Sequence, residues 1–277
     1  MRKTRPKKPK SRRAPDVITS KRHWPRIIVI PDTQVRPGVP TKHLTAIGNY
    51  VAEKMPDTLV HLGDHADMPS LSQYEDKASG YWDVPERTYR ADIDAANHGM
   101  KLLTAPIIAK QKRARSWTLR RRLALGNHEH RITRAVHADP ALKGTLDLSM
   151  LDYGWWKVEP FLKPFELEGI LFCHYFINQK SLKKGILGGT IDNRLNAIKQ
   201  SFVMGHQQTR MWGSQWTSDG REIMGLVVGA AYLHDEEYMP QFQGNHYWRG
   251  VVVLNECRDG RYDPCFVSLD YLLRKYL

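Results

Sequence analysis

Cysteine is scarce: the 277-residue chain has three, Cys173, Cys257 and Cys265, an odd number with no CxxC pair. That argues against a disulfide framework and against a cysteine zinc site, and it fits a reducing compartment. Long apolar runs are missing as well. No stretch reaches the roughly 18 apolar residues of a membrane span, and the basic N-terminus lacks the apolar segment of a secretory signal. The expectation is a cytoplasmic protein with no membrane partner. Acidic side chains are in the minority, 29 against 42 Lys and Arg, for a formal net charge of +13. Such a surplus suits polyanionic partners or simply keeps the surface soluble. Neither an internal repeat nor an interdomain linker is visible.

What is present divides into two parts. Residues 1–23 hold Arg2, Lys3, Arg5, Lys7, Lys8, Lys10, Arg12 and Arg13 among three prolines, with almost nothing a core could use. This reads as a disordered basic arm, either a tether for phosphate groups or a solvated tail. Residues 24–277 read as a single domain. Ile27 to Ile30 form an apolar run stopped by Pro31, a buried strand that ends in Asp32, Thr33 and Gln34. Thr41 then stands where a helix cap belongs, and Leu44, Ile47, Val51 and Met55 recur at helical spacing. Asp57 to Leu62 return as a second strand, ending at Gly63 and Asp64, so the opening is a βαβ unit. A longer helix is expected between Glu86 and Ala109, and a short strand over Leu123 to Leu125 ends at GNHE.

The second half is richer in strands. Gly169 to Cys173 ends at His174, and Ser201 to Met204 ends at GHQQ. Two hairpins are expected around Ser218-Asp219-Gly220 and Arg258-Asp259-Gly260. The fold expected is an α/β, four-layer α/β/β/α sandwich of two packed mixed sheets with helices outside.

Five loops share one design, an apolar strand followed at once by Asp, Asn, His or Gln, often beside glycine. Strand ends in open α/β sheets converge on one crevice, so Asp32, Asp64, Asn127, His174 and His206 can meet although distant in sequence. Singly, each has a plainer explanation as a helix cap, a turn residue or a packed core histidine. Taken together, the ordered set DTQ, GDHAD, GNHE, CHYF and GHQQ resembles the calcineurin-like metallophosphoesterase family. YLHDEEY and GNHYWRG extend the resemblance to calcineurin-like phosphoesterases encoded by tailed phages, which implies an infected bacterial cytoplasm.

The resemblance implies a phosphoester hydrolase with divalent metal ions at the strand ends and a metal-bound water as nucleophile. Asp64 would bridge two metals, Asn127, His174 and His206 would complete the second metal's ligands, and Asp32 would serve the first. His128 would sit over the phosphate as a general acid or charge stabiliser, with Asp67 supporting either it or a metal-bound water. The family has two histidines on the first metal where this chain has Gln34 and Gln208. Amide oxygens favour Mn²⁺ or Mg²⁺ over softer metals. Three outcomes follow: a weaker oxygen-rich first site, a mononuclear enzyme, or a substitute ligand from His234, Asp235, Glu236 or His246.

The family does not fix the substrate. Lys110, Lys112, Arg113, Arg115, Arg120, Arg121 and Arg122 gather around Trp117, and such a run either follows a nucleic-acid backbone or is a solvated helix end. With the arm, it leans the expectation to a phosphodiesterase or nuclease acting on DNA or RNA. A phosphomonoesterase, and a non-catalytic nucleic-acid-binding module with an eroded first metal site, are the alternatives. Trp155, Trp156 and Phe161 read as packing.

Overall fold

The first strand, β1 (Ile27–Ile30), has four buried aliphatic residues, and its side chains go alternately to two different cores. Ile28 and Ile30 join one cluster while Ile27 and Val29 join another, the period-two consequence of a pleated strand. The computed structural model describes residues 23–72, 88–235 and 246–277. The expected basic arm, except for His23, lies outside the described residues, as do Glu236 and parts of YLHDEEY and GNHYWRG. His23 is exposed, with Nε2 2.7 Å from Asp57 Oδ1.

The described residues form an α/β fold with two mixed sheets and five helices. Helix α1 (Lys42–Lys54) follows β1 and returns the chain to β2 (Thr58–His61), parallel to β1. Thr41 is its N-cap residue but makes no side-chain cap hydrogen bond, contrary to the expectation. Helix α2 (Tyr89–Arg113) is capped by Thr88, whose side chain accepts from the Ala91 N–H. Strand β3 (Arg120–Ala124) begins three residues before the sequence pattern suggested, because its arginines are accommodated by partners. Arg122 lies 2.8 Å from Glu159, and the Arg121 guanidinium rests 4.7 Å over the Trp155 ring. Helix α3 (His130–Ala138) and β4 (Lys157–Glu159) follow. Late in the chain, β10 (Gly250–Arg258) and β11 (Arg261–Ser268) form a hairpin that joins β1 antiparallel, giving the order β11-β10-β1-β2-β3-β4.

The second sheet has the order β5-β6-β7-β9-β8, from β5 (Phe165–Leu167), β6 (Ile170–Cys173), β7 (Phe202–Met204), β8 (Arg210–Trp216) and β9 (Glu222–Val228). Helix α4 (Ile191–Ile198) connects β6 to β7, and α5 (Leu269–Tyr276) ends the chain. Both expected hairpins are present, at Asp219-Gly220 and Asp259-Gly260.

Three apolar clusters hold these elements. One joins the first sheet to α1, α2 and α5 through residues such as Ile28, Leu44, Leu103 and Leu272. The middle cluster takes side chains from both sheets, including Val29, Val60 and Leu254 with Phe172, Val203 and Leu226. The third packs Phe202 and Met204 against Leu195 of α4, and it contains Cys173, as expected for a residue preceding His174 on a strand. No helix among the described residues is long and apolar enough to cross a membrane.

Candidate metal centre

Each candidate side chain follows the C-terminal end of a strand: Asp32 after β1, Asp64 after β2, Asn127 after β3, His174 after β6 and His206 after β7. The loops are tied to one another by backbone. Thr33 and Gln34 N–H groups donate to the Asp64 carbonyl, and the Ala231 N–H donates to the Asp32 carbonyl at 2.7 Å. Gln34, Asp64, His206 and Gln208 all have positive φ, from +38° to +68°, a region that L-residues adopt at a cost and that concentrates at functional sites. Glycine supplies the remaining room. A Cβ on Gly126 would stand 2.0 Å from Asp64 Oδ1, and one on Gly205 would stand 2.7 Å from Asp32 Oδ1.

The result is a buried group in which ligand atoms of Asp64, His174 and His206 all lie within 4.8 Å of one another, a set able to hold a metal ion. Asn127 joins it, with Oδ1 2.9 Å from His174 Nε2. His174 Nδ1 lies 2.7 Å from the Leu62 carbonyl, which can only accept, so the ring's Nδ1–H is spent there. Its Nε2 therefore turns toward two oxygens, Asp64 Oδ2 at 3.2 Å and Asn127 Oδ1 at 2.9 Å. Lone pairs that face one another in a buried place need a positive centre between them. In the protein alone that centre is a proton. Burial, the largest influence, opposes a charge on His174, but the Asp64 carboxylate, the Asp32 charge and the Leu62 carbonyl together outweigh it and lift the ring to about 9. Burial would likewise raise Asp64, yet His128 and His174 hold its carboxyl below the usual carboxylate range. Burial pushes Asp32 up to about 7, with the Asp64 charge acting in the same direction. Its Oδ1 accepts from the His206 N–H at 3.2 Å, while Oδ2 and Gln34 Oε1 are buried without hydrogen-bond partners. The donor set, one carboxylate, an amide oxygen and two imidazoles, suits a divalent cation.

Beside this group stands His128. Its Nδ1 donates to Asp67 Oδ1 at 2.6 Å, its backbone N–H donates to Asp64 Oδ1 at 2.9 Å, and its Nε2 lies 3.2 Å from Arg131 Nη2. Asp67 Oδ2 in turn accepts from Arg36 at 2.8 Å. Asp67 thus holds the imidazole through Nδ1, whereas Arg36 and Arg131 carried no readable signal.

Glu129 has a role that its place in GNHE does not announce. Fully buried, its carboxylate accepts from the N–H groups of Asp64, His65, Ala66 and Gly126, at 2.7 to 3.1 Å, and from the Tyr153 hydroxyl at 3.1 Å. It clamps the GDHAD loop to the GNHE loop. His65 is structural, because its Nε2 bonds the Ala96 carbonyl of α2 and its Nδ1 bonds Thr33 Oγ1.

Other candidate residues have partners of their own. Gln208 Oε1 accepts from the Tyr232 hydroxyl at 2.9 Å, so its amide oxygen already has a partner. Of the candidate substitute ligands, His234 stacks on Tyr232 at 4.6 Å and Asp235 accepts from Arg249 at 2.8 Å. The basic run sits at the start of β3 and the end of α2, whereas Asn127 and His128 follow the other end of β3. Arg120 and Arg122 are also engaged with Glu168 and Glu159. No family model matches the sequence, and no curated protein matches it.

Proposed function

We propose that the chain is a divalent-metal-dependent phosphoester hydrolase of the calcineurin-like kind, acting on phosphodiesters, with a four-layer α/β/β/α architecture and its cation at the strand ends. The observation that carries this reading is the convergence of Asp64, Asn127, His174 and His206, each from a separate strand end, beside an Asp67-oriented His128. Helix-bearing clusters on the outer face of each sheet, and a shared cluster between the sheets, support the layered arrangement.

Phosphodiester hydrolysis is slow because a weak nucleophile must approach an anionic centre from which a poor leaving group departs. Asp64, Asn127, His174 and His206 would hold a divalent cation, Mn²⁺ or Mg²⁺, which when bound would supply charge for the phosphate oxygens and acidify a water. The chain's own residues do the rest. His128 is fixed through Nδ1 by Asp67; in its protonated form, which Asp64 and Asp67 favour against burial, Nε2 gives up its contact with Arg131 and delivers its proton to the leaving oxygen. Arg131 and Arg36 balance Asp67 and keep the surroundings of His128 positive toward an arriving phosphate. Asp32 and Gln34 offer buried oxygens to a second, weaker cation, while the Tyr232–Gln208 bond sets Gln208 apart from it.

A substrate panel with added Mn²⁺ tests the reading: single-stranded DNA, duplex DNA, RNA, a bis-aryl phosphodiester and a mono-aryl phosphate. Turnover of a diester that disappears in Asp64→Asn, together with the bound cation, is the expected result. Turnover of the monoester alone would make the protein a phosphomonoesterase, and no turnover with no bound cation would end the hydrolase reading.

A further inference from the structure

The wall of the site between α3 and the loop after β6 is built from rings. His130 stacks on Phe161 at 4.8 Å, Phe161 meets Tyr175 edge-on at 5.6 Å, and Tyr175 lies tilted over His206 at 4.7 Å. His130, Phe161 and Tyr175 are all partly exposed, so a row of rings that solvent can reach adjoins a histidine of the candidate metal group.

Cations without partners line the same wall. Arg134, on the same helix as His130, makes no ion pair among the described residues, and its Nε is buried with no hydrogen-bond partner. Beyond Tyr175 the chain forms a short hairpin in which Ile177 pairs with Gly185, and the Asn178 N–H donates to the Lys184 carbonyl at 2.8 Å. Gly185 packs so closely on Tyr175 that a Cβ there would stand 3.1 Å from the ring. The hairpin therefore returns against the aromatic row and presents Lys180, Lys183 and Lys184, all exposed and without an ion pair among the described residues. The contrast is with the arginines of β3, which lie at the far end of that strand from the site and are largely neutralised.

We infer that this wall is a binding track for single-stranded nucleic acid, in which Phe161 and Tyr175 stack nucleobases and Arg134, Lys180, Lys183 and Lys184 hold the phosphates flanking the scissile one. The inference rests on the hydrolase reading only for where the scissile phosphate lies. A single strand fits better than a duplex because a ring can stack only on a base that has left its own stack. Three lysines on one hairpin supply the sequence-tolerant charge that follows a backbone.

The experiment measures anisotropy of labelled oligodeoxyuridylate and oligouridylate, each about 12 nucleotides, which is within the site sizes of such grooves. It uses the full chain without added divalent cation, across a series of salt concentrations. K180A/K183A/K184A is expected to flatten the slope of log affinity against log salt by about 2. Phe161→Leu and Tyr175→Leu are each expected to weaken binding about 5- to 100-fold. DNA and RNA arms that respond alike indicate recognition of the strand itself, and a response in one arm alone names the sugar. The inference is overturned if the triple variant keeps the wild-type slope. It is equally overturned if K110A/K112A/R113A/R115A removes the salt dependence instead, or if a duplex of equal length binds as tightly and ignores Phe161→Leu. Binding that follows these residues in a protein that hydrolyses no ester would sink the hydrolase reading and keep the track. Hydrolysis of the bis-aryl ester, with oligonucleotide binding indifferent to all five positions, would do the reverse.

Discussion

Replacing Glu129 by Gln tests whether one buried carboxylate holds the candidate centre together. Its Oε1 accepts from the His65 and Ala66 N–H groups and from the Tyr153 hydroxyl, and its Oε2 accepts from the Asp64 and Gly126 N–H groups. Glutamine keeps the shape but has one carbonyl oxygen and one NH₂. In its better orientation the carbonyl replaces Oε1, and the NH₂ then points at the two remaining N–H donors. Each buried donor left without an acceptor costs about 1–3 kcal/mol, so the variant should lose about 2–6 kcal/mol of unfolding free energy. That is a large share of the roughly 5–15 kcal/mol available to a domain. The same two donors belong to Asp64 and to the glycine packed on it, so Mn²⁺ affinity should also drop about 10- to 100-fold. Urea unfolding followed by tryptophan fluorescence reads the first effect, and calorimetric Mn²⁺ titration reads the second. A stability change under about 1 kcal/mol with unchanged Mn²⁺ affinity would show that the carboxylate does not clamp the loops.

Three further outcomes follow from the geometry. His128→Ala should cut turnover about 10²- to 10⁴-fold with cation content kept, whereas His206→Ala should lose both; equal metal loss in the two would make His128 a ligand. Gly126→Ala puts a methyl 2.0 Å from Asp64 Oδ1 and should abolish Mn²⁺ binding, while Gly154→Ala, with open space around its added carbon, should bind normally. His43 is held at about 3 by burial, with His234 and His65 adding to the effect. As pH falls below about 6.5 the unfolded chain takes this proton first, so folding loses about 1.4 kcal/mol per pH unit until about 3. The urea midpoints of His43→Leu at pH 7 and pH 5 should then correspond to free energies that differ by about 2 kcal/mol less than those of wild type, and an identical pH dependence would refute the assignment.

Strand ends are legible in the sequence because an apolar run broken by a polar cluster is a local signal. Asp32, Asp64, Asn127, His174 and His206 all stand in such places, and the proximity of Asp64, His174 and His206 needs only that their strand ends converge. The pattern starts β3 too late because its arginines look like surface, and only the partners Glu159, Glu168 and Trp155 make them tolerable in a sheet. Arg36, Arg131 and Glu129 each bond at least one group 31 to 65 residues away, a relation no local pattern records. The basic run is legible as charge but not as position, since composition says nothing about which end of a strand faces the site.

Strand β1 is the first in the chain, yet one of its two neighbours is β10, with Ile27 opposite Leu254. A nascent polypeptide therefore carries the Asp32, Asp64 and Asn127 loops through most of translation before the strand that flanks β1 leaves the ribosome. Contacts this remote in sequence form late and slowly. The candidate metal centre is thus completed only when synthesis is nearly finished, and fragments lacking the final hairpin should fail to bind Mn²⁺.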